Sequence, residues 1–322
     1  MASANSTFTD LVATTFRNHK KTVYDNVSTH NALYARMRKD GNTEEESGGT
    51  TIARILDYAE NGTYQRYSGF EALSIAQSEV ISAAEYNWKQ AAVNVVQSGL
   101  ELRSNSGDEA IVKLAKARVT NAMRTFANNL SDDIYSAGTA DSSKQIGGLQ
   151  HIITTDGTGT VGGINSSTFT FWANQYKNMS GSSGTLLLSR MNDLFMNCTR
   201  GADHPTMVVA ESTVYSAYWN DLTQFQRYTA ENDTSLNFGH RSLMFNGVPI
   251  FFEPTGCGIP SGYLYMLNTN YLKFVVHSQA NVEPMDEKFS VNQDGVVIPI
   301  LFQGNLVCTN RARQGVGFGW TE

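Results

Sequence analysis

The chain has 322 residues, of which 41% are hydrophobic, 11% aromatic and 17% charged. This composition can build a sizeable core, which excludes an intrinsically disordered protein, and the length predicts about two domains of ~150 residues. The formal net charge of −6 excludes a surface built to grip nucleic-acid phosphates strongly, since such proteins carry a basic excess.

The first 40 residues predict short helices, because Phe8, Leu11 and Phe16, and later Leu33 and Met37, fall at helical spacing. The stretch DGNTEEESGGT that follows offers no core residues, so residues 1–48 are interpreted as an N-terminal arm. Two interpretations of its basic residues stay open: a solvated polar segment, or an inward-facing arm that contacts nucleic acid or a partner. These residues are Arg17, Lys20, Lys21, Arg36, Arg38 and Lys39.

Residues 49–104 predict an extended β-hairpin with an aromatic, glycine-containing end near residues 60–69. Along the return arm the apolar positions change face, which predicts a bulge or strong twist near Lys89 and Gln90. An isolated two-stranded hairpin is only marginally stable in water, so we expect a neighbouring copy of the protein to cover it. A carbohydrate- or ligand-stacking patch is the alternative. The candidate inter-subunit contacts are Tyr58, Tyr64, Arg66, Tyr67, Phe70, Tyr86 and Trp88.

A long helix is predicted from Gly107 to about Ser136, with Asp108 and Glu109 in its first turn, where carboxylates favour the positive end of the helix dipole. At 1.5 Å per residue, this helix is roughly 40–45 Å long. One apolar stripe along it forms the predicted core face: Ile111, Ala115, Val119, Ala122, Phe126 and Leu130.

The rest of the chain mixes helices and strands, which gives the fold class α+β. Residues 144–163 are a glycine- and threonine-rich loop with a short strand. Helices are predicted at Ser166–Met179, Thr185–Thr199 and Glu211–Leu222, with a buried strand at 206–210. From residue 238 onward strands dominate.

Signatures of catalysis are missing from the sequence. The pattern Gly157-x-Gly159-x-x-Gly162 resembles a dinucleotide fingerprint, but no second strand and no acidic residue follow at the required places, so a glycine loop is the preferred interpretation over an enzyme that binds a nucleotide. The chain has no P-loop, HExxH or GxSxG motif, and its six histidines lack metal-ligand spacing. We therefore predict a protein that is not an enzyme, with no cofactor and no metal.

Neither disulfides nor a membrane anchor is expected. The cysteines Cys198, Cys257 and Cys308 are far apart and odd in number, as is typical of reduced thiols in a cytosolic protein. No apolar segment approaches the ~18 residues needed to span a bilayer.

The order of these parts resembles the major capsid proteins of tailed bacteriophages with the Hong Kong 97 fold. The resemblance covers essentially the whole chain and is carried by YAENGTYQRYSGFEAL, AAEYNWKQAAV, SGLELRSNSGDEAIVKLAKARVTNAMRTFANNL, KQIGGLQHII and IPILFQGNLVCTNRARQGV. It implies an N-arm (1–48), an extended loop (49–104), a peripheral domain with a spine helix (105–165), an axial domain (166–290) and a return strand of the peripheral domain (291–322).

The resemblance also implies a function. The expected protein assembles as pentamers and hexamers into an icosahedral shell around double-stranded DNA. Its contacts with the packaged DNA would be non-specific. It would be located in the virion, and in the host cytoplasm during assembly, with a portal protein as partner. The alternative is an encapsulin-type shell that encloses a cargo enzyme.

Two departures from the family pattern lead to further expectations. The type member locks its shell with isopeptide bonds from a lysine in the extended loop, whereas this chain has no lysine between Lys39 and Lys89. A non-covalent shell is therefore expected, with a decoration or cementing protein as a candidate partner. The loop begins by about residue 50, which leaves no room for a fused scaffolding extension. A separate scaffolding protein is therefore expected; an extension already removed is the alternative, against which the initial Met1 argues.

Overall fold

A computed structural model describes residues 31–100, 108–181, 185–223, 243–253, 257–284, 288–289 and 293–321. The helices are α1 (Ala32–Lys39), α2 (Asp108–Tyr135), α3 (Ala140–Ser143), α4 (Leu149–Ile152), α5 (Thr185–Cys198) and α6 (Ser212–Thr223). Short 3-10 turns occupy Thr170–Trp172, Thr269–Tyr271 and Arg311–Arg313. The first seven strands are β1 (Thr43–Glu46), β2 (Thr51–Asp57), β3 (Ile81–Asn87), β4 (Lys89–Ser98), β5 (Thr160–Val161), β6 (Ile164–Asn165) and β7 (Gln175–Asn178). The others are β8 (Met207–Glu211), β9 (Leu243–Phe245), β10 (Val248–Glu253), β11 (Leu264–Leu267), β12 (Leu272–Pro284), β13 (Lys288–Phe289), β14 (Gly295–Cys308) and β15 (Gly315–Phe318). The predicted α+β class is confirmed.

The longest strand, β14, organises a five-stranded sheet. It pairs antiparallel with β12 on one side and with β4 on the other, and β1 joins the far edge of β12 in parallel. Its first nine residues alternate between half-buried and buried, as expected for a strand with one face on a core. Phe302 on that buried face lies 5.4 Å, ring to ring, from Phe126 of α2.

Helix α2, which we call the spine helix, runs from Asp108 to Tyr135 and packs against β4 of this sheet. Its 28 residues give a length of about 42 Å at 1.5 Å per residue. Val119, Ala122, Phe126 and Leu130 are buried on one stripe, together with Met123 and Ala127 beside it. The side chains of Ile111 and Ala115 lie outside the described residues.

The second large sheet has six strands in the order β7-β15-β11-β8-β10-β9. Every residue of β8 and of β11 is buried, because these central strands are covered on both faces. Helices α5 and α6 pack on this sheet and share a second apolar cluster with it, in which Leu187, Met191, Leu194 and Tyr218 are buried.

Several predicted boundaries are wrong. Residues 166–179 form a 3-10 turn and strand β7 rather than a helix, because Asn174 and Trp172 are fixed by tertiary hydrogen bonds to Thr154 and Val161. The two sheets cross the predicted domain boundary at residue 290. Strand β12 pairs with β14 in the five-stranded sheet, and β15, near the C-terminus, joins the six-stranded sheet instead.

The described part of the predicted N-terminal arm belongs to the body of the protein. Leu33 and Met37 of α1 are buried, and the cap residue Asn31 donates from Nδ2 to Ser131 Oγ of the spine helix at 3.1 Å. The acidic stretch, predicted to be a joint without core residues, forms β1 and pairs with β12. Backbone hydrogen bonds to the edge of β12 make this stretch a strand, since its sequence has no apolar pattern.

The glycine pattern at 157–162 forms a turn and a small hairpin, β5–β6, instead of the start of a helix. Gly162 has a φ of +60°, and a Cβ there would meet the Ala84 side chain at 2.9 Å. Its carbonyl accepts a 2.9 Å hydrogen bond from the Glu85 backbone N–H. The glycine therefore allows the hairpin to approach β3 closely, which is a packing role.

Candidate assembly interface

The predicted ribbon is shorter than the sequence indicated. Only β2 and β3 form the hairpin, paired from Thr51–Asn87 to Asp57–Ile81, while β4 leaves it and joins β14. The change of face occurs at Trp88, the one-residue break between β3 and β4. Buried positions are even-numbered before this break and odd-numbered after it. The hairpin encloses residues 58–80, which we call the tip.

One face of the hairpin is anchored on its own subunit. Ile52, Leu56, Ala84 and Tyr86 alternate along β2 and β3 and are all buried in the main core. On the opposite face, Ile55 and Ile81 are 81% and 68% exposed. The base of the hairpin is therefore a part of the subunit fold, and its outer face exposes two large apolar side chains, Ile55 and Ile81.

Three of the predicted inter-subunit residues contact their own chain. Tyr86 is buried, donates from its hydroxyl to the Cys308 carbonyl at 2.8 Å, and has a raised pKa because of desolvation. Tyr58 stacks on Phe171 with ring centroids 5.3 Å apart. Trp88 donates from Nε1 to the Gly49 carbonyl at 3.0 Å and lies edge-on to His277. Tyr86 thus belongs to the core of its own subunit, and Tyr58 and Trp88 are half-buried.

Charged residues add a second connection between hairpin and body, which sequence reasoning missed. Arg54, on the body-facing side of β2, pairs with Glu44 at 2.7 Å and Glu46 at 2.8 Å, both on β1. Glu44 also pairs with Lys273 of β12. Partly exposed pairs of this kind contribute ~0–1 kcal/mol each, so their role is to orient the hairpin more than to stabilise the fold.

The tip presents apolar side chains to solvent. Tyr64 is 79% exposed, Tyr67 64% and Ile75 97%, while Phe70 is fully exposed and Arg66 is also at the surface. Among the described residues, the hydrogen bonds of the tip join tip residues to one another, for example Gln65 Nε2 to the Ala72 carbonyl at 3.1 Å. A short segment that exposes several large apolar side chains is a candidate interaction site.

The remaining predicted residues are scattered. Arg17, Lys20 and Lys21 lie outside the described residues. Arg36, Arg38 and Lys39 lie in the second half of α1, where Arg36 pairs with Asp40 at 2.7 Å. Within the described ranges, no three His, Cys, Asp or Glu side chains are grouped as metal ligands. No described helix combines the length and apolar character required to cross a bilayer.

Comparison with known proteins identifies the fold. No protein-family model matches the chain, and no curated protein matches it. Among solved structures, it is similar to the capsid subunit of cyanophage A-1(L), with a TM-score of 0.65, 14% identity, and coverage of 87% of this chain and 91% of that one.

Two further capsids superpose over a similar extent. The capsid of an empty GTA particle gives a TM-score of 0.54 at 13% identity, covering 88% of this chain and 89% of that one. The capsid of Myoviridae phage XM1 gives 0.53 at 13% identity, covering 88% and 92%. This chain therefore has the Hong Kong 97-like fold of phage capsid subunits.

Proposed function

We propose that this protein is the major capsid protein of a tailed phage and that its copies assemble through pentamers and hexamers into an icosahedral shell around double-stranded DNA. The observation that carries the proposal is the capsid fold, which extends over 87% of the chain in the similarity to the cyanophage capsid. The solvent-exposed aromatic tip supports it, because this surface lacks a covering within the described residues.

The physical driving force for assembly is burial of the tip. An aromatic side chain removes about 150–250 Å² from water when it is covered. Burying one such residue contributes about 1.5–3 kcal/mol before ordering costs. Tyr64, Tyr67 and Phe70 lie together on a segment that is not needed for the subunit core. The free energy gained by burying these three side chains is therefore available to the contact between subunits.

The proposal extends to partners and location. A portal protein, a separate scaffolding protein and a decoration or cementing protein complete the particle, which forms in the host cytoplasm. The net charge of −6 fits a container in which counterions neutralise the genome, so that contact with DNA is non-specific. No enzymatic activity is part of this role.

The test is assembly of the purified protein, alone and with the phage's scaffolding protein, followed by light scattering and negative-stain microscopy. We expect closed shells. The triple variant Tyr64→Ser, Tyr67→Ser, Phe70→Ser is expected to keep the melting temperature of the unassembled subunit and to lose the shells.

Phe126→Ala is the matched control, because Phe126 is buried beneath the sheet. It is expected to cost about 3–5 kcal/mol of fold stability. A wild-type protein that stays monomeric at high concentration with scaffold present contradicts the proposal. Shells from infected cells that hold protein cargo and no nuclease-protected DNA contradict its genome-enclosing part.

A further inference from the structure

Two Asn-Gly pairs occur in the chain: Asn61 with Gly62 in the tip, and Asn246 with Gly247 in the turn between β9 and β10. The amide carbon of an asparagine side chain is an electrophile, and the backbone nitrogen of the next residue can attack it by closing a ring. Glycine favours this ring closure, because it has no side chain and its backbone is the least restricted. Since the two pairs have the same sequence, their reactivities differ through their surroundings.

Hydrogen bonds activate the amide of Asn61. Its Oδ1 accepts from the Thr63 backbone N–H at 3.0 Å and from Thr63 Oγ1 at 2.7 Å. Donors placed at a carbonyl oxygen stabilise the negative charge that develops there when the carbon is attacked. A bond from an asparagine side chain to the backbone two residues on closes a turn, which folds the amide over the intervening Gly62 peptide. Thr63 therefore polarises the electrophile and holds it beside the attacking nitrogen.

The backbone nitrogen of Gly62 is accessible. Asn61 and Gly62 are both exposed and belong to no helix or strand. Among the described residues, no group accepts a hydrogen bond from the Gly62 N–H, and a Cβ at Gly62 would meet nothing within 4 Å. The backbone bond across this turn joins the Tyr64 N–H to the Asn61 carbonyl at 3.3 Å. Little structure therefore opposes the backbone rotation that ring closure needs.

The second pair is held in place. Asn246 and Gly247 have φ of +49° and +80° and form the two-residue turn of a hairpin, whose ladder begins at once with Phe245 opposite Val248. The Asn246 Nδ2 donates to Asn192 Oδ1 at 3.2 Å, whereas no described residue donates to the Asn246 Oδ1. The ladder opposes backbone rotation here, and the amide carbon is not polarised. This pair is therefore an internal control for the first.

We propose that Asn61 is a site of spontaneous covalent modification, at which the side-chain amide becomes a carboxylate. The Gly62 nitrogen attacks Asn61 Cγ, so that a new N–Cγ bond forms and the Cγ–Nδ2 bond breaks. The proton of the Gly62 N–H passes through solvent to the leaving nitrogen, which departs as ammonia. One water molecule then adds across either C–N bond of the cyclic imide and gives aspartate or isoaspartate. The reaction consumes water and requires no oxidant or reductant.

The modification changes the chemistry of the tip. It adds a negative charge beside Glu60, in a segment that exposes Tyr64, Tyr67 and Phe70. Moving a carboxylate from water into an apolar contact is unfavourable unless the charge is paired. This consequence rests on the proposed function: subunits modified before assembly are expected to enter shells less often than unmodified ones. Unassembled protein would thus lose its competence for assembly with age.

The site is tested on the purified, unassembled, full-length protein, kept in warm and mildly alkaline buffer and sampled by peptide mass spectrometry. The peptide that contains Asn61 is expected to show the mass shift of amide-to-acid conversion, as a mixture of aspartate and isoaspartate. We expect this conversion to be at least about tenfold faster than that of Asn246, where hydrogen bonds must first break. In water enriched in heavy oxygen, the product is expected to carry the label.

Two variants test the groups that act. Gly62→Ala places a methyl group beside the attacking nitrogen and is expected to slow the conversion at least about tenfold, without a change in melting temperature because the space is open. Thr63→Val keeps the backbone N–H and the branched shape but removes the Oγ1 donor. It is expected to slow the conversion about two- to tenfold, the contribution of one hydrogen bond.

The outcomes separate this inference from the proposed function. The modification site is overturned by an unmodified Asn61, by equal rates at Asn61 and Asn246, or by aspartate without isoaspartate, which direct hydrolysis would give. Unchanged rates in Gly62→Ala and Thr63→Val overturn the assigned ring closure.

The effect on assembly is tested with Asn61→Asp, which has the shape of the wild-type side chain and differs in charge. It is expected to form at least about fivefold fewer shells, because the carboxylate must be desolvated. Shells in wild-type amounts overturn this effect. A wild-type protein that forms no shells overturns the capsid role and leaves the modification site standing.

Discussion

At the level of single residues, Tyr86 completes the edge of β14 where β4 no longer covers it. Its hydroxyl donates to the Cys308 carbonyl at 2.8 Å and accepts from the Cys308 N–H at 3.3 Å. Both bonds are buried, and burial raises the pKa of Tyr86, which keeps the phenol protonated and able to donate. One tyrosine side chain thus substitutes for a strand neighbour.

Tyr86→Phe is expected to destabilise the subunit by about 1–3 kcal/mol, because the buried Cys308 backbone groups lose their partner on that side. Tyr64→Phe is the control: its side chain is exposed, so the free energy of unfolding stays unchanged. Urea unfolding of both unassembled variants measures the difference. Equal free energies of unfolding for Tyr86→Phe and Tyr64→Phe contradict the role of Tyr86 as an edge partner.

At the level of elements, the spine helix ends in an unfavourable charge arrangement. Its last turn holds Asp132 and Asp133 and no basic residue, although the C-terminal end of a helix dipole is negative. Desolvation raises the pKa of both carboxyls. For Asp133 the neighbouring charges of Asp132 and Asp141 also raise the pKa, against a hydrogen bond from Gln145 that lowers it.

This arrangement predicts a pH dependence of stability. A carboxyl whose pKa is higher in the folded state binds its proton more tightly there, so stability increases as the pH falls through the folded-state pKa. Asp133→Asn is expected to stabilise the subunit near neutral pH and to reduce the gain on acidification, measured as urea midpoints from about pH 8 down to about pH 4, the ordinary pKa of an aspartate. The same pH dependence of the urea midpoint in the variant and the wild type would contradict this prediction. Asp57→Asn, at an exposed position, is the control.

At the level of the whole molecule, the subunit combines a body of two sheets with one exposed hairpin. Ile52, Leu56, Ala84 and Tyr86 fix the hairpin base in the core, and the Arg54 ion pairs connect it to β1. The tip from residue 58 to 80 contains no lysine. A contact made through this tip therefore has hydrophobic burial and backbone hydrogen bonds available, but no amine nucleophile.

Mature particles are accordingly expected to contain no covalent cross-links that start at the tip. After boiling in detergent, they are expected to give a single capsid-protein band near 35.4 kDa. Weakening the apolar contact with the triple tip variant is then expected to lower particle recovery, because no covalent bond replaces it. A ladder of covalent multimers in the gel contradicts this prediction.

Local patterns in the sequence were sufficient for elements that carry their own periodicity. The spine helix was predicted within a residue at either end, since a 28-residue helix repeats its apolar stripe many times. Helix α5 and strand β8 were also predicted, and so were the return strand that contains β14 and the change of face beside Lys89. The exposed aromatic side chains of the tip follow from the same logic, because they belong to no repeating face.

Only the tertiary structure decided the partners of these elements. Alternation along β3 gives Tyr86 a face but not the Cys308 contact, which joins residues 222 positions apart. Likewise, β1 carries no apolar pattern and is a strand only because the edge of β12 is available to it. The sequence by itself therefore determined those helices and strands that carry a repeating apolar face. Which strand pairs with which, and which edge stays open, depends on long-range backbone hydrogen bonds that local periodicity does not encode.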